Sequence, residues 1–200
     1  MNVFSRAAGY ALRHGRIAHD AALPSAFRVR KRQRALAQLE HVTFATLTFV
    51  CQGNINRSAV AEHRLRASPK ACNLSVHSCG LHLRGGRPSP PLSIAVAGEL
   101  GVDLGSHRSL RAADINARGT LLVGFEPHHL LAWSAGPSRE SKAILLGVFD
   151  PDERAPMLIP DPYGRESDVV RSVFQRVILC VDAMASRLEH VGESKWRLNT

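Results

Sequence analysis

Leu47-Thr48-Phe49-Val50-Cys51-Gln52-Gly53-Asn54-Ile55-Asn56-Arg57-Ser58 sets an apolar run directly against a polar loop that holds a cysteine and an arginine six residues apart. Phe44 to Val50 reads as a strand, and Ala59 to Ala67 as a helix that stops before Ser68-Pro69. A strand, a short loop and a helix in that order predict loop amides turned inward and the positive end of the helix facing the same ring. Such a concave row of N–H groups suits a dianion. Gly53 lets the backbone turn or come close without a Cβ, and Asn54 tolerates a left-handed conformation.

The residue types add chemistry to that shape. The thiolate is the attacking form of cysteine, and a helix N-terminus with a nearby cation favours it at Cys51. Arg57 can grip two phosphoryl oxygens with one planar fork, which lysine cannot do. Ser58 places a hydroxyl where it can donate to the sulfur. The loop therefore reads as a site for attack on phosphorus, set against the plainer reading of a buried strand-end cysteine and a solvated helix arginine.

Beyond the loop, apolar stretches alternate with helical patterns. Leu74 to Cys79 reads as strand two, Leu121 to Val123 as strand three and Ala143 to Val148 as strand four. Helices are expected at Leu92 to Leu100, Leu110 to Ala117, His128 to Ala135 and Glu166 to Val191. The last shows Val169, Val170, Val173, Phe174, Val177, Ile178, Val181, Met184 and Leu188 at helical spacing. Continuous apolar strands alternating with helices predict an α/β fold of three layers, a four-stranded parallel sheet with helices on both faces and a P-loop after strand one. Ligands of such sheets sit beyond the carboxyl ends of the strands. Chain order alone therefore places Cys51 and the segment Asp161-Pro162-Tyr163-Gly164 at one edge of the sheet.

Val50-Cys51-Gln52-Gly53-Asn54, Arg57-Ser58 and Ala61-Glu62, together with Asp161-Pro162-Tyr163-Gly164, resemble the signature of the low-molecular-weight protein tyrosine phosphatase family. Ser78-Cys79-Gly80, Gly86-Arg87-Pro88, Gly101-Val102-Asp103-Leu104 and Ser106-His107-Arg108-Ser109 fit between them, and the resemblance runs from about Thr43 to Val191. It implies Cys51 as nucleophile, Arg57 as phosphate clamp and Asp161 as general acid. It makes Gln52, Gly53, Asn54, Ile55, Asn56, Ser58 and His107 the phosphate loop and its support, and puts Tyr163 in the substrate pocket. The implied activity is hydrolysis of phosphotyrosine through a phosphocysteine, without metal or cofactor. The implied partner is a tyrosine-phosphorylated protein, bacterial tyrosine kinases of polysaccharide export among them, and the implied setting is the cytoplasm. A non-catalytic phosphotyrosine-binding module and a thiol-linked arsenate reductase remain alternatives. A phosphocysteine carrier of sugar uptake would need neither Arg57 nor the Asp161 loop.

The chain also departs from the pattern. Asn56 stands where many members have a second cysteine, which puts a protective disulfide in doubt. Ala59 replaces a common proline, Cys79 a usual alanine, and Gly124-Phe125-Glu126 stands where strand three normally ends in methionine; these read as packing changes.

Composition divides the chain. All 200 residues carry +9, at a pI of 10.2 and 44% apolar content. Residues 1 to 41 contribute +6 of this through Arg6, Arg13, Arg16, Arg28, Arg30, Lys31, Arg32 and Arg34 against Asp20 and Glu40. They read as a basic extension, disordered or loosely helical, ahead of a catalytic domain at 42–200. Its basic run could meet nucleic acid or an anionic membrane surface, its Arg-rich, acid-poor start superficially suits a transit peptide, and the plainer reading is a solvated tail or translated sequence upstream of the true start. Nucleic acid is not the expected partner. No secretory core and no run of 18 uncharged apolar residues is present, so no membrane span is expected.

Cys51, Cys72, Cys79 and Cys180 do not form the framework of a secreted mini-domain, and Cys180 falls in a core pattern. Cys72 and Cys79 resemble a redox pair only in their spacing. His77 lacks a second ligand cluster, His128-His129 read as capping or covering a helix, and no metal is expected. His82, Arg84 and Arg87 sit in the loop after strand two, where they could bias substrate choice or simply be solvated.

Overall fold

The computed structural model describes residues 15–82, 84–116, 118–134, 142–192 and 195–199. Its centre is a four-stranded sheet built from β1 (Thr46–Cys51), β2 (Ser75–Gly80), β3 (Thr120–Gly124) and β4 (Lys142–Leu145), in the order β2-β1-β3-β4. All three pairings are parallel; Cys51 lies opposite Gly80 in one, and Val50 opposite Cys79 and Gly124 in the two that flank β1. The central strands β1 and β3 are almost wholly buried because both faces of the sheet are covered.

One face carries Leu47, Phe49 and Cys51 of β1 against α2 (Arg57–Arg66) and α5 (Ser167–Ala185), with α3 (Pro91–Glu99) packed on α5. The other face carries Val50, Cys79 and Leu122 against Trp133 of α4 (Pro127–Ser134). In α5 the inward residues Val170, Val173, Phe174, Val177, Cys180, Val181 and Met184 are buried. Each large apolar side chain so enclosed contributes about 1.5–3 kcal/mol. Burial pushes the Cys180 thiol up to about 12, as befits a core residue.

The elements differ from their sequence outlines where side chains take over backbone groups. The expected helix at 110–117 is a single 3-10 turn, Ala112–Asp114, and Ala117 itself lies outside the described residues. Leu110 and Arg111 are extended instead, because the Leu110 carbonyl accepts from the Gly80 amide and Arg111 bridges Gly80. Strand four stops at Leu145 and turns through Leu146–Phe149, and within that turn Gly147 lies so close to Met157 that a Cβ would fall onto its carbonyl. The last helix ends at Ala185, not Val191: Leu188–His190 (β5) pairs antiparallel with Trp196–Leu198 (β6), and Trp196 is buried against Phe44. A leucine at helical spacing concealed that change of period.

In the basic extension, residues 15–22 and α1 (Ser25–Ala37) are helical, while Arg6 and Arg13 lie outside the described residues. Arg30, Lys31 and Arg34 are exposed, as a solvated run would be. Arg32 is not: its side chain is buried against the turn after β4. No helix among the described residues is long and apolar enough to cross a membrane.

Candidate active site

The loop between β1 and α2 closes at the carboxyl edge of the sheet. The amide of Asn54 donates to Cys51 Sγ at 3.3 Å, and Asn54 takes a left-handed φ of 51°. The loop after β2 is laced beside it, the Leu81 and His82 amides donating to the carbonyls of Cys51 and Gln52. Gly80 is required by this closeness, because a Cβ there would stand 2.8 Å from the Gly53 carbonyl carbon and 2.9 Å from the Asn54 nitrogen.

Asn54 is the hub of the support network, and its partners fix the orientation of its side-chain amide. Its Oδ1 accepts from the Leu110 amide at 2.7 Å, so its Nδ2 donates, to Ser58 Oγ at 3.0 Å and Ser78 Oγ at 2.6 Å. Ser58 Oγ lies 3.0 Å from Cys51 Sγ, where its hydroxyl can donate to the sulfur. Ser78 passes its proton to Glu62, which also pairs with Arg66. His107 Nε2 sits 2.8 Å from the Asn54 carbonyl, which can only accept, so that nitrogen carries a proton. Burial pulls the His107 pKa below its ordinary value against the opposing pull of that carbonyl, which favours the neutral ring.

Arg57 is the largest fully buried side chain of the group, at 1% exposure. Its Nη1 donates to Glu126 Oε1 at 2.7 Å and to the Ile159 carbonyl at 2.8 Å, and Nη2 lies 3.0 Å from Asp161 Oδ2. The guanidinium also stands 5.5 Å from the centre of the Phe125 ring. Burial alone would lower its pKa; the charges of Asp161, Cys51 and Glu126 outweigh that and hold it above the ordinary value.

The residues expected at the site are thus brought together, each in a distinct place. Cys51, Ile55, Asn56, Ser58 and Arg57 are buried, Gln52 and Gly53 partly so, and Tyr163 is exposed at the rim. Asn56 Oδ1 accepts from Ser93 Oγ at 2.7 Å and so ties the loop to α3. Asp161 Oδ1 accepts from the Tyr163 amide at 3.3 Å. A cavity of about 280 Å³ opens over the loop, walled by Gln52, Gly53, Ile55 and Asp161 and rimmed by Tyr163, His82 and Arg87. Arg84, by contrast, is exposed and does not line it.

Sequence reasoning passed over Glu126, which read as a packing change after β3, and Ser78, quoted without a role. A carboxylate directly after an apolar strand, facing the same edge as the Cys51 loop, was the available signal for Glu126. His129 is buried with Nδ1 accepting from the Phe125 and Glu126 amides, so it caps α4 from within and orients Glu126. Cys79 is no redox partner. It shares a face with Val50 and not with Cys51, and burial drives its thiol well up. Cys72 lies before the other end of β2, and Ser75 to Cys79 alone spans about 13 Å of strand, beyond the ~7 Å a disulfide tolerates.

Comparison with known proteins agrees with this geometry. The family model of the low molecular weight phosphotyrosine protein phosphatases matches residues 46–194. The chain is 29% identical over 155 residues to the low molecular weight protein-tyrosine-phosphatase Etp of Escherichia coli K12, covering 76% of this chain and 99% of the relative. It is 31% identical over 134 residues to Wzb of the same strain, covering 66% and 86%. The solved structure of Vibrio vulnificus Wzb in complex with benzylphosphonate superposes with a TM-score of 0.61 at 26% identity, over 72% of this chain and 99% of that one. A Cys-to-Arg loop closed on a left-handed asparagine, the matched span and these relatives together place the chain in the low molecular weight phosphotyrosine protein phosphatase family.

Proposed function

We propose that the chain hydrolyses phosphotyrosine in a protein by two phosphoryl transfers through Cys51. The observation that carries the reading is Asp161 Oδ2 held 3.0 Å from the guanidinium of Arg57, at the rim of the loop that encloses the Cys51 sulfur.

In the first transfer the Cys51 thiolate attacks in line, the S–P bond forms and the P–O bond to the phenol breaks. Loop amides and Arg57 hold the equatorial oxygens, and protonated Asp161 gives its proton to the departing phenolate. In the second, Asp161 takes a proton from water, the oxygen bonds to phosphorus, and the S–P bond breaks to release phosphate and restore the thiolate. The Ser58 hydroxyl stabilises the sulfur as nucleophile and as leaving group through the 3.0 Å contact.

Tyr163 at the mouth offers a ring for the substrate phenol to stack on, consistent with the aryl-methyl phosphonate bound by the Vibrio relative. Arg87 and His82 on the same rim favour a phosphotyrosine flanked by acidic residues. The test is hydrolysis of aryl phosphates by the purified chain beside Cys51→Ser, with rapid quenching to trap a phosphoenzyme. A burst of phenol and phosphate on Cys51 is expected; wild-type protein no faster than Cys51→Ser leaves a binding module and ends the hydrolase reading.

A further inference from the structure

The segment between β4 and Asp161 makes few backbone hydrogen bonds of its own; arginines from three elements take its carbonyls instead. Arg176 of α5 donates to Pro156 and Leu158, and Arg57 donates to Ile159. The third is Arg32 of α1: Nη1 donates to Gly147 at 2.9 Å, Val148 at 2.8 Å and Asp150 at 3.0 Å, and Nη2 to Ala155 at 3.1 Å. Arg28 adds a bond to the Arg154 carbonyl. Asp20, in the helical stretch before α1, accepts from the Leu158 amide at 3.0 Å and is itself buried.

Arg32 is 3% exposed and has no carboxylate within ion-pair distance among the described residues. A buried cation is costly unless its hydrogen bonds are made, and these four carbonyls are what it is given. The planar fork reaches several carbonyls at once and stays charged at every working pH, which a lysine in its place would not reproduce. From Leu158 the chain runs Ile159-Pro160-Asp161-Pro162, where two prolines stiffen the path to the carboxylate. Ile159, pinned through its amide to Phe125 and its carbonyl to Arg57, fixes one point of that path. Its direction needs a second.

We propose that the amino-terminal arm supplies the second point. Arg32 and Asp20 are positioning residues that hold the 147–158 segment so that Asp161 is delivered over Cys51, and they act on the proton-donation step without touching the phosphate. The proposal rests on Asp161 being the acid.

The experiment uses the full chain as wild type, Arg32→Met, Arg32→Lys, Asp20→Asn, Asp161→Asn and the Arg32→Met/Asp161→Asn double variant. It measures kcat/KM over aryl phosphates whose phenols span a range of acidity, with inorganic phosphate as competitive inhibitor. Arg32→Met is expected to lose about tenfold on phenyl phosphate, part of the ~10²–10⁴-fold that an acid supplies, and less than about twofold on a nitrophenyl phosphate that needs little protonation. Phosphate inhibition should stay within about twofold of wild type, Arg32→Lys should recover part of the loss, and Arg32→Met should cost nothing further once Asp161 is asparagine. If urea unfolding finds Arg32→Met unfolded, Asp20→Asn carries the same criteria. A folded variant with the wild-type leaving-group slope, or a loss that multiplies with that of Asp161→Asn, overturns the role of the arm. A wild-type slope in Asp161→Asn instead overturns the acid and this proposal with it.

Discussion

Arg57 and Glu126 form an ion pair of 2.7 Å with both side chains enclosed, 1% and 5% exposed. The contact fixes Nη1, so Nη2 is the arm of the guanidinium that faces Asp161. Glu126→Ala leaves a buried cation with reduced compensation. It should cost about 3 kcal/mol, the lower end for a broken buried pair because Ile159 and Asp161 remain as partners. Urea unfolding reads the loss, and, with Arg57 as the proposed phosphate clamp, phosphate affinity should fall with it.

His107 gives stability a pH dependence of definite sign. Burial lowers its folded pKa, so below the ordinary value near 6.5 the unfolded chain binds more protons than the folded one. Its contribution is complete above that value and declines as pH falls toward the lowered folded value. Urea midpoints taken from pH 7.5 to 5 should therefore drop more steeply for wild type than for His107→Gln. Parallel curves would assign the acid sensitivity to other groups.

Gly80→Ala tests whether the loop is propped from below. The added methyl meets backbone atoms of Gly53 and Asn54, which cannot swing aside as a side-chain tip would. A loss of about 1–3 kcal/mol is expected, with weaker inhibition by phosphate, since the displaced atoms belong to the proposed phosphate loop. A variant as stable as wild type with unchanged phosphate inhibition would show that the loop has room to spare.

Tyr163 is 64% exposed, so Tyr163→Ala should leave stability within about 0.5 kcal/mol. Loss of ring stacking worth about 0.5–1.5 kcal/mol should raise KM severalfold for aryl phosphates and leave a small alkyl phosphate unaffected. Equal losses on both substrates would mean that the ring does not contact the phenol.

What the sequence could disclose followed from the range of each interaction. Cys51, Asn54, Arg57 and Ser58 belong to one short loop whose local geometry their spacing constrains, and the strands of the sheet are long enough in apolar residues to be recognised. Ser78 and Glu126 reach the loop only because β2 and β3 lie on either side of β1, and Ile159 because its amide bonds to Phe125 just after β3, neighbourhoods that spacing along the chain does not encode. Arg32 was concealed by its company: among Arg28, Arg30, Lys31 and Arg34 nothing marks the one cation that turns inward. The β5–β6 hairpin was lost because Leu188 continues the spacing of α5 past its end.

The orientation of Asn54 has one more effect. Each link from the Leu110 amide through Asn54 to Ser58 points its hydrogen toward Cys51, and the Asn54 amide points the same way. Both contacts recorded at the sulfur thus come from groups able to give it a hydrogen, and the polarity of the loop's floor is set by an asparagine whose own orientation is decided by a backbone amide more than fifty residues away.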